Sequence, residues 1–544
     1  YTCGLQGRFG CGDVDLPFKA AFSDFTGLRR AASGFSPPPA AASPPAGLDW
    51  ARITIDLHRA VTTANPFGAT EPTCGLTGCN CYYGAFGCAR LMNFFLKIYF
   101  SLYFLQCFSN SLLAGFGLGF PNTTFLFEPI EIFSDFVRVS YSYPFLLAGK
   151  PSSWFDTLAS RQFPGLAAAF ERYRHESLLS FQSDPQWLTE RVTHFHHPPV
   201  TQLHSLLFGG ILHQWGPFTA IVITCIVCLL PLVVASVMAC HRFPRYAPWL
   251  LGVSLISYPA VFAITRGNFT GLFCSTLLVL AILLIASEKV NLAIVCSALA
   301  LSIRPNWYPL VLVMLFVLVE KVSLGRKLWI FLRWLLVLAV VNMVALAIVH
   351  AIYPAYDLQS FLEGYRKYSA AYEFGDTGSS FGSSLLVAEK EVLSVLFHVN
   401  SLALLGILRR LNIVLASLAV VWLIALAIQK RVSQETALVL AMALTILGTP
   451  VFFDYHLFVL WGAIYYALYR SRDPQSIALS RLDLAFIAIS LSPFAYYLRP
   501  GAITGFGVLF RPFVALLYVF ICFVVVSRPA LGSASVQPLG SKRP

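Results

Sequence analysis

Residues 217–239 read PFTAIVITCIVCLLPLVVASVMA, an apolar run without one charged side chain. A helix needs about 20 such residues to cross the roughly 30 Å of bilayer hydrocarbon. A second long run, LWIFLRWLLVLAVVNMVALAIVH, occupies 328–350. Neither alternates with the two-residue period of a barrel strand. In lipid every backbone polar group must be satisfied within the protein, so helices are the structure these runs predict.

Working outward, the overall composition has the same character. Hydrophobic residues make up 57% of its 544 residues and charged residues only 12%, with a mean hydropathy of +0.69. A soluble domain carries roughly a quarter charged residues, so this chain is too poor in charge to cover a water-facing surface. Apolar runs predict spans at 94–118, 217–239, 247–264, 268–287, 290–304, 307–319, 328–350, 411–428, 436–449, 451–469, 483–498 and 505–526. The stretch 200–215 is read as a helix that dips into the membrane without crossing. The expectation is an all-α polytopic membrane protein of about twelve transmembrane helices, its body covering 91–528.

The ends differ from that body. A Pro/Ala/Ser stretch from Ser36 to Gly47 and four cysteines, Cys74, Cys79, Cys81 and Cys88, fall in residues 1–90. The cysteines lack the paired C-x2-C spacing of common zinc sites. Residues 1–90 are expected to be a low-complexity, disordered segment, and 529–544 a disordered tail.

The formal net charge of +12 comes from short clusters between spans: His241–Arg245, Lys321 with Arg326 and Lys327, Lys430 with Arg431, and Arg470 with Arg472. Such clusters are what the positive-inside bias predicts for cytoplasmic loops, and they attract anionic headgroups of membrane lipids. No extended basic face for nucleic-acid phosphates is present. With the spans above, all four clusters fall on one side. The other side receives the long first loop 119–199, the turns at Arg266 and Arg304, the loop 351–410 and the turn containing His456.

That second side holds the residues able to do chemistry. Asp135 lies in SDFVRVSYSYPFLLAGKPSSWF just past the first span, where a carboxylate suits a general base at the lipid interface. A solvated loop residue is the plainer reading of it, and Glu128 and Glu131 are alternative bases. Adjacent His196 and His197 precede Pro198-Pro199 and point different ways, which favours a turn over a metal site. Arg266-Gly267-Asn268 separates two apolar runs in YPAVFAITRGNFTGLF, and Arg304-Pro305-Asn306 does the same in ALSIRPNWYPL. Charges this close to hydrocarbon are costly and read as functional by default. A guanidinium binds phosphate well, though each could also snorkel to an interface. Late in the chain, GTPVFFDYHLFVLW places Asp454 and His456 in a turn, with His456 the stronger candidate. Tyr365 and Arg366 stand in the aromatic-bearing 351–410 loop on the same side.

The order of these motifs resembles glycosyltransferase family 87, membrane-embedded mannosyltransferase-like enzymes of the C type that use polyprenyl-phosphate sugars. An Asp-Phe in the first external loop, a Gly (Gly149) about a dozen residues later, the HHPP element at 196–199, the Arg-Gly-polar turn, the Arg304-Pro305 turn and the late turn from Pro450 to His456 carry the likeness over roughly 93–526. The resemblance implies a C-type fold with a long first extracytoplasmic loop, Asp135 and His456 as catalytic residues, and Arg266 and Arg304 on the donor phosphate. It further implies transfer of a hexose, mannose first, from a polyprenyl-phosphate-linked donor to a lipid or glycan acceptor, which Tyr365 and Arg366 of the 351–410 loop are expected to contact. The transfer would invert the anomeric centre, use no cofactor or metal, and face outward from a bacterial plasma membrane. The absence of a G-x-x-x-x-G-K-[ST] loop favours a lipid-linked donor over a nucleotide sugar. The alternative is a transporter or lipid flippase, a class that also uses broken helices.

Overall fold

In the computed structural model the described residues are 96–99, 101, 136, 198–215, 217–320, 322–352, 354, 356–363, 365, 384–399, 401–450, 452, 454–471, 478–492 and 506–527. The chain divides into two units, Tyr1–Cys79 and Asn80–Pro544, and all described residues belong to the second. They are about 86% helical and contain no strand.

Helix α1 (Pro199–Trp215) leads directly into α2 (Pro217–Ala239). A short 3-10 turn then opens α3 (Ala247–Leu255), which is followed by α4 (Tyr258–Arg266). The break between α3 and α4 bends the pair by 61°. Pro259 in the first turn of α4 has no N–H to continue the preceding helix. The expected span at 247–264 is therefore two short helices. Next come α5 (Phe269–Ala286), α6 (Val290–Ile303) and α7 (Tyr308–Val313), the last ending in a π turn at Met314–Leu318. Helix α8 (Leu324–Ile352) is the longest; α9 (Leu385–Leu396), α10 (Leu402–Ile428) and α11 (Gln434–Gly448) follow. A 3-10 turn at Asp454–Leu460 leads into α12 (Trp461–Arg470), and α13 (Arg481–Leu491) and α14 (Phe506–Ser527) complete the order.

Among the described residues four helices are long and apolar enough to cross a membrane: Phe218–Ala239, Phe269–Ala286, Leu324–Ile352 and Leu402–Ile428; the bent α3–α4 pair makes a fifth if counted as one span. Of the expected spans, those at 290–304, 307–319 and 436–449 are shorter apolar helices. The span at 451–469 is a 3-10 turn plus α12. Helix α10 starts nine residues earlier than its expected span at 411. Most of the expected span 94–118 lies outside the described residues.

The core forms around α5, which is almost wholly buried between α2, α6 and α12. Helices α2, α8 and α10 instead turn large apolar side chains outward: Val237 is 61% exposed, Leu336 64% and Val421 63%. Contiguous apolar surface of this kind on helices of spanning length is what lipid covers.

Contacts between the helix ends sort the molecule into two levels. At one level Arg242 donates to the Ser471 carbonyl at 3.0 Å, and Arg470 pairs with Glu320 at 3.2 Å. There too Gln434, just after Lys430 and Arg431, donates to the Val317 carbonyl at 3.1 Å and accepts from the Tyr466 hydroxyl. Lys327 donates to the Phe316 carbonyl at 2.6 Å, so the helix ends that carry the four basic clusters lie at one level. Arg266, Arg304 and Asp454 lie at the opposite ends of the helices that bear them.

Those opposite ends are not level with the ends of the long helices. Asn342 of α8 donates to Ser302 near the end of α6 at 2.8 Å, and α8 runs on to Ile352, about 15 Å further at 1.5 Å per residue. A Cβ on Gly448, the last residue of α11, would lie 2.5 Å from the Ala416 Cβ. Helix α10 extends from there back to Leu402, about 21 Å. Cys228 of α2 contacts the Phe269 carbonyl at the start of α5 at 3.4 Å, and Pro217 lies about 16 Å beyond it. Three independent registers therefore sink the three turns, one below the end of each of α8, α10 and α2.

Candidate functional site

Each sunken turn is built from local sequence chemistry. Arg266 is the last residue of α4, and Gly267 caps it with a φ of 69°, a left-handed conformation that glycine adopts without penalty. Asn268 then starts α5 by accepting the Gly271 N–H at 3.0 Å. A helix stop and a helix start occupy three residues, and this explains why a short amide side chain stands at 268. Arg304 ends α6 in an extended conformation, as a residue before proline prefers, and Pro305 opens the following 3-10 turn. Thr449 before Pro450 is likewise extended, and the Asp454–Leu460 turn begins four residues on.

The three turns converge. Arg304 Nη2 lies 3.5 Å from the Thr270 hydroxyl in the first turn of α5, and Trp307, three residues after it, meets the His456 ring edge-on at 6.4 Å. His456 is 1% exposed and sits among aromatic rings, with Tyr455 at 4.6 Å, Phe452 at 5.2 Å and Trp307 at 6.4 Å. Gly271 lets Tyr455 press against α5, since a Cβ there would lie 2.8 Å from the Tyr455 ring. Tyr455 also stacks near Phe262 of α4, at 6.1 Å. The Arg304 and His456 predicted from sequence are thus neighbours, and Arg266 heads the turn that joins α4 to α5 beside them.

Helix α1 reaches the same place. Thr201 in its first turn donates to the Ile303 carbonyl at 3.3 Å, one residue before Arg304, while its far end Trp215 adjoins the start of α2. It runs from the depth of Arg304, at its N-terminus, out to the level at which α2 begins. Its N-terminus adds the positive end of a helix dipole to that depth.

Several sequence candidates lie outside the described residues: Asp135, Glu128, Glu131, Arg366, and the His196–His197 pair. Phe136, which follows position 135, is buried and packs edge-on against Phe269 at 5.5 Å and 77°. Tyr365 is 40% exposed and pairs with Phe361 at 6.2 Å, in a short helix capped by Asp357. The Ser360 N–H and hydroxyl hold that exposed carboxyl below its ordinary range. Among the described residues no three His, Cys, Asp or Glu side chains come together as metal ligands would.

Sequence reading missed three features. Arg511 of α14 pairs with Asp454 at 2.6 Å, and Tyr258 of α4 donates to the other Asp454 oxygen at 2.7 Å. Asn412 of α10 donates to Glu389 of α9 at 2.8 Å, while Ser384 before α9 donates to the Pro450 carbonyl at 2.8 Å, which fastens α9 over the third turn. Arg409 and Asn412 line a narrow crevice with Leu386 and Gly448–Pro450. An arginine inside an otherwise apolar 505–526 run was the available signal for Arg511; nothing local pointed to its partner.

No protein-family model matches this chain, and neither a curated protein nor a solved structure matches it.

Proposed function

We propose that the protein is a membrane glycosyltransferase that moves a hexose, mannose first, from a polyprenyl-phosphate-linked donor to a lipid or glycan acceptor. The observation that carries this reading is the depth of the Arg304 turn. Between Arg333 and His350 helix α8 has no ionisable residue, and Asn342, which binds Ser302, stands at the middle of that stretch. A guanidinium two residues beyond Ser302 lies where charge is expensive and where an ionisable group reads as functional by default; a ligand whose own charged group enters from lipid would use it. A sugar phosphate on a long isoprenoid chain is such a ligand. In this reading the helices make up a C-type architecture of about twelve spans with a long first loop, in a bacterial plasma membrane, and the sunken turns face outward.

The chemistry is an in-line displacement. The acceptor hydroxyl attacks the anomeric carbon and its proton passes to the Asp135 carboxylate, with Glu128 and Glu131 as the alternative bases. The bond from the anomeric carbon to the phosphate oxygen breaks, and its electron pair leaves with polyprenyl phosphate; the configuration inverts. Arg304 and Arg266 stabilise the departing phosphate, the task at which fixed positive groups are most effective, and His456 beside Arg304 contacts the reacting centre. Tyr365 and Arg366 bind the acceptor. Phe136 against Phe269 supports the assignment of Asp135, because it packs the neighbouring residue onto the first turn of α5.

Purified protein supplied with polyprenyl-phospho-mannose and a membrane lipid extract is expected to release polyprenyl phosphate without nucleotide sugar or divalent cation. Activity only with a nucleotide sugar, or complete loss in chelator, would overturn the reading. One observation favours a transporter or flippase instead: the half-crossing α1 and the bent α3–α4 pair place helix ends at depth, as alternating-access proteins do. Flux of a labelled polyprenyl-phosphate sugar across proteoliposomes, with no new glycosidic bond, would select that alternative.

A further inference from the structure

Arg511 is 3% exposed within an apolar helix. Its Nη1 lies 2.6 Å from Asp454 Oδ1, its Nη2 donates to the Ser492 carbonyl at the end of α13 at 3.0 Å, and its guanidinium stacks 4.8 Å over the Tyr258 ring. The Tyr258 hydroxyl takes the other Asp454 oxygen at 2.7 Å. One carboxylate thus ties together α4, α14 and the turn that carries His456. Apolar residues of the same size would hold such a place at no loss of stability in many proteins, so packing alone does not account for the charges.

We infer that Arg511 is a positioning residue that fixes the direction of His456 through Asp454 and Tyr258. The argument is geometric and rests on the proposed transfer only for its activity readout. A 3-10 turn advances about 120° per residue, so Asp454 and His456, two residues apart, leave the turn on different flanks. Asp454 points to Arg511 and Tyr258, while His456 points into the Trp307–Phe452 rings. Short turns are held by few backbone bonds of their own, so a directional pair on one flank sets the rotation of the turn and with it the direction of the side chain on the other flank. Tyr258 also opens α4, whose last residue is Arg266. The same cluster therefore sets His456 and the first basic turn against each other.

The test uses the full chain in detergent with two readouts: reaction of His456 with diethyl pyrocarbonate, resolved by peptide mass spectrometry, and steady-state transfer. The double variant Arg511→Met with Asp454→Leu removes both buried charges and is expected to melt near the wild-type temperature. His456 in it should react about tenfold faster, as local opening permits, and kcat should fall about 10²-fold, the effect of a misplaced reacting group, with KM little changed. Tyr258→Phe, which removes a single hydroxyl and guards against failure of the double variant to fold, should move both readouts the same way by about threefold. Wild-type reactivity of His456 together with wild-type kcat in either folded variant would overturn the inference. A wild-type protein without transfer activity would count against the proposed function alone, and His456 reactivity would still decide the positioning role.

Discussion

Asn342 of α8 donates its amide to the Ser302 hydroxyl at 2.8 Å, and this bond fixes how far α6 rises beside the longest helix. The Ser302 hydroxyl donates in turn to the Ala298 carbonyl at 2.8 Å, and Asn342 also donates to the Leu338 carbonyl, so both side chains stay satisfied in a mostly apolar setting. Arg304 inherits its depth from that register.

Because interhelical bonds in membranes average about 0.6 kcal/mol and reach about 1.7, Asn342→Leu and Ser302→Ala should each destabilise modestly. Their double-mutant cycle should show a coupling of about 0.5–1 kcal/mol, measured by reversible unfolding in mixed micelles. A coupling of zero would mean that α6 and α8 do not meet in this register.

Single cysteines placed at Arg242 and Arg326 in a background without native cysteines should react with an impermeant reagent from one membrane face. A cysteine at Pro305, which is exposed at the Arg304 turn, should react from the other face. Equal labelling of positions 242 and 305 from the same face would dissolve the two-level arrangement.

Glycine substitutions read the close approaches directly. Gly448→Ala would put its Cβ 2.5 Å from that of Ala416, and Gly271→Ala would put one 2.7 Å from Asn268 Oδ1 and 2.8 Å from Tyr455. Each should cost about 1–3 kcal/mol, and Gly271→Ala should also raise the reactivity of His456. Gly252→Ala meets nothing within 4 Å and should stabilise α3 by about 0.5–1 kcal/mol. Thermal unfolding that ranked Gly252→Ala with the other two would contradict the packing described.

For the transfer reaction, Asp135→Asn keeps shape and hydrogen bonding but removes the base, a loss of about 10²–10⁴-fold in turnover, with donor binding nearly unchanged. Arg304→Ala should instead weaken donor binding, since it removes a phosphate partner. Near-normal turnover in Asp135→Asn, with abolition by Glu128→Gln or Glu131→Gln, would move the base upstream.

Much of this was legible before any coordinates. Gly267 and Asn268 announce a helix end and a helix start, Pro305 and Pro450 announce breaks, and each does so through the conformations its own backbone allows. Arg304 and His456 stood out because ionisable groups in apolar sequence are rare. The bend at Ile256–Ser257 escaped, since the run through 247–264 is apolar on both sides of it and hydropathy does not register direction. Arg511 was hidden by the same averaging: one charge in a long apolar run leaves the run a span.

The sequence by itself determined that the described chain is helical and apolar, and where most helices stop. These follow from composition and from the preferences of residues near one another in the chain. Tertiary structure alone decided that Arg304 lies beside His456, that Arg511 meets Asp454, and that the turns sit below the ends of α2, α8 and α10. Those facts depend on the register of one helix against another. Register is set by contacts such as Asn342 with Ser302 and Gly448 with Ala416, between side chains that no local pattern relates.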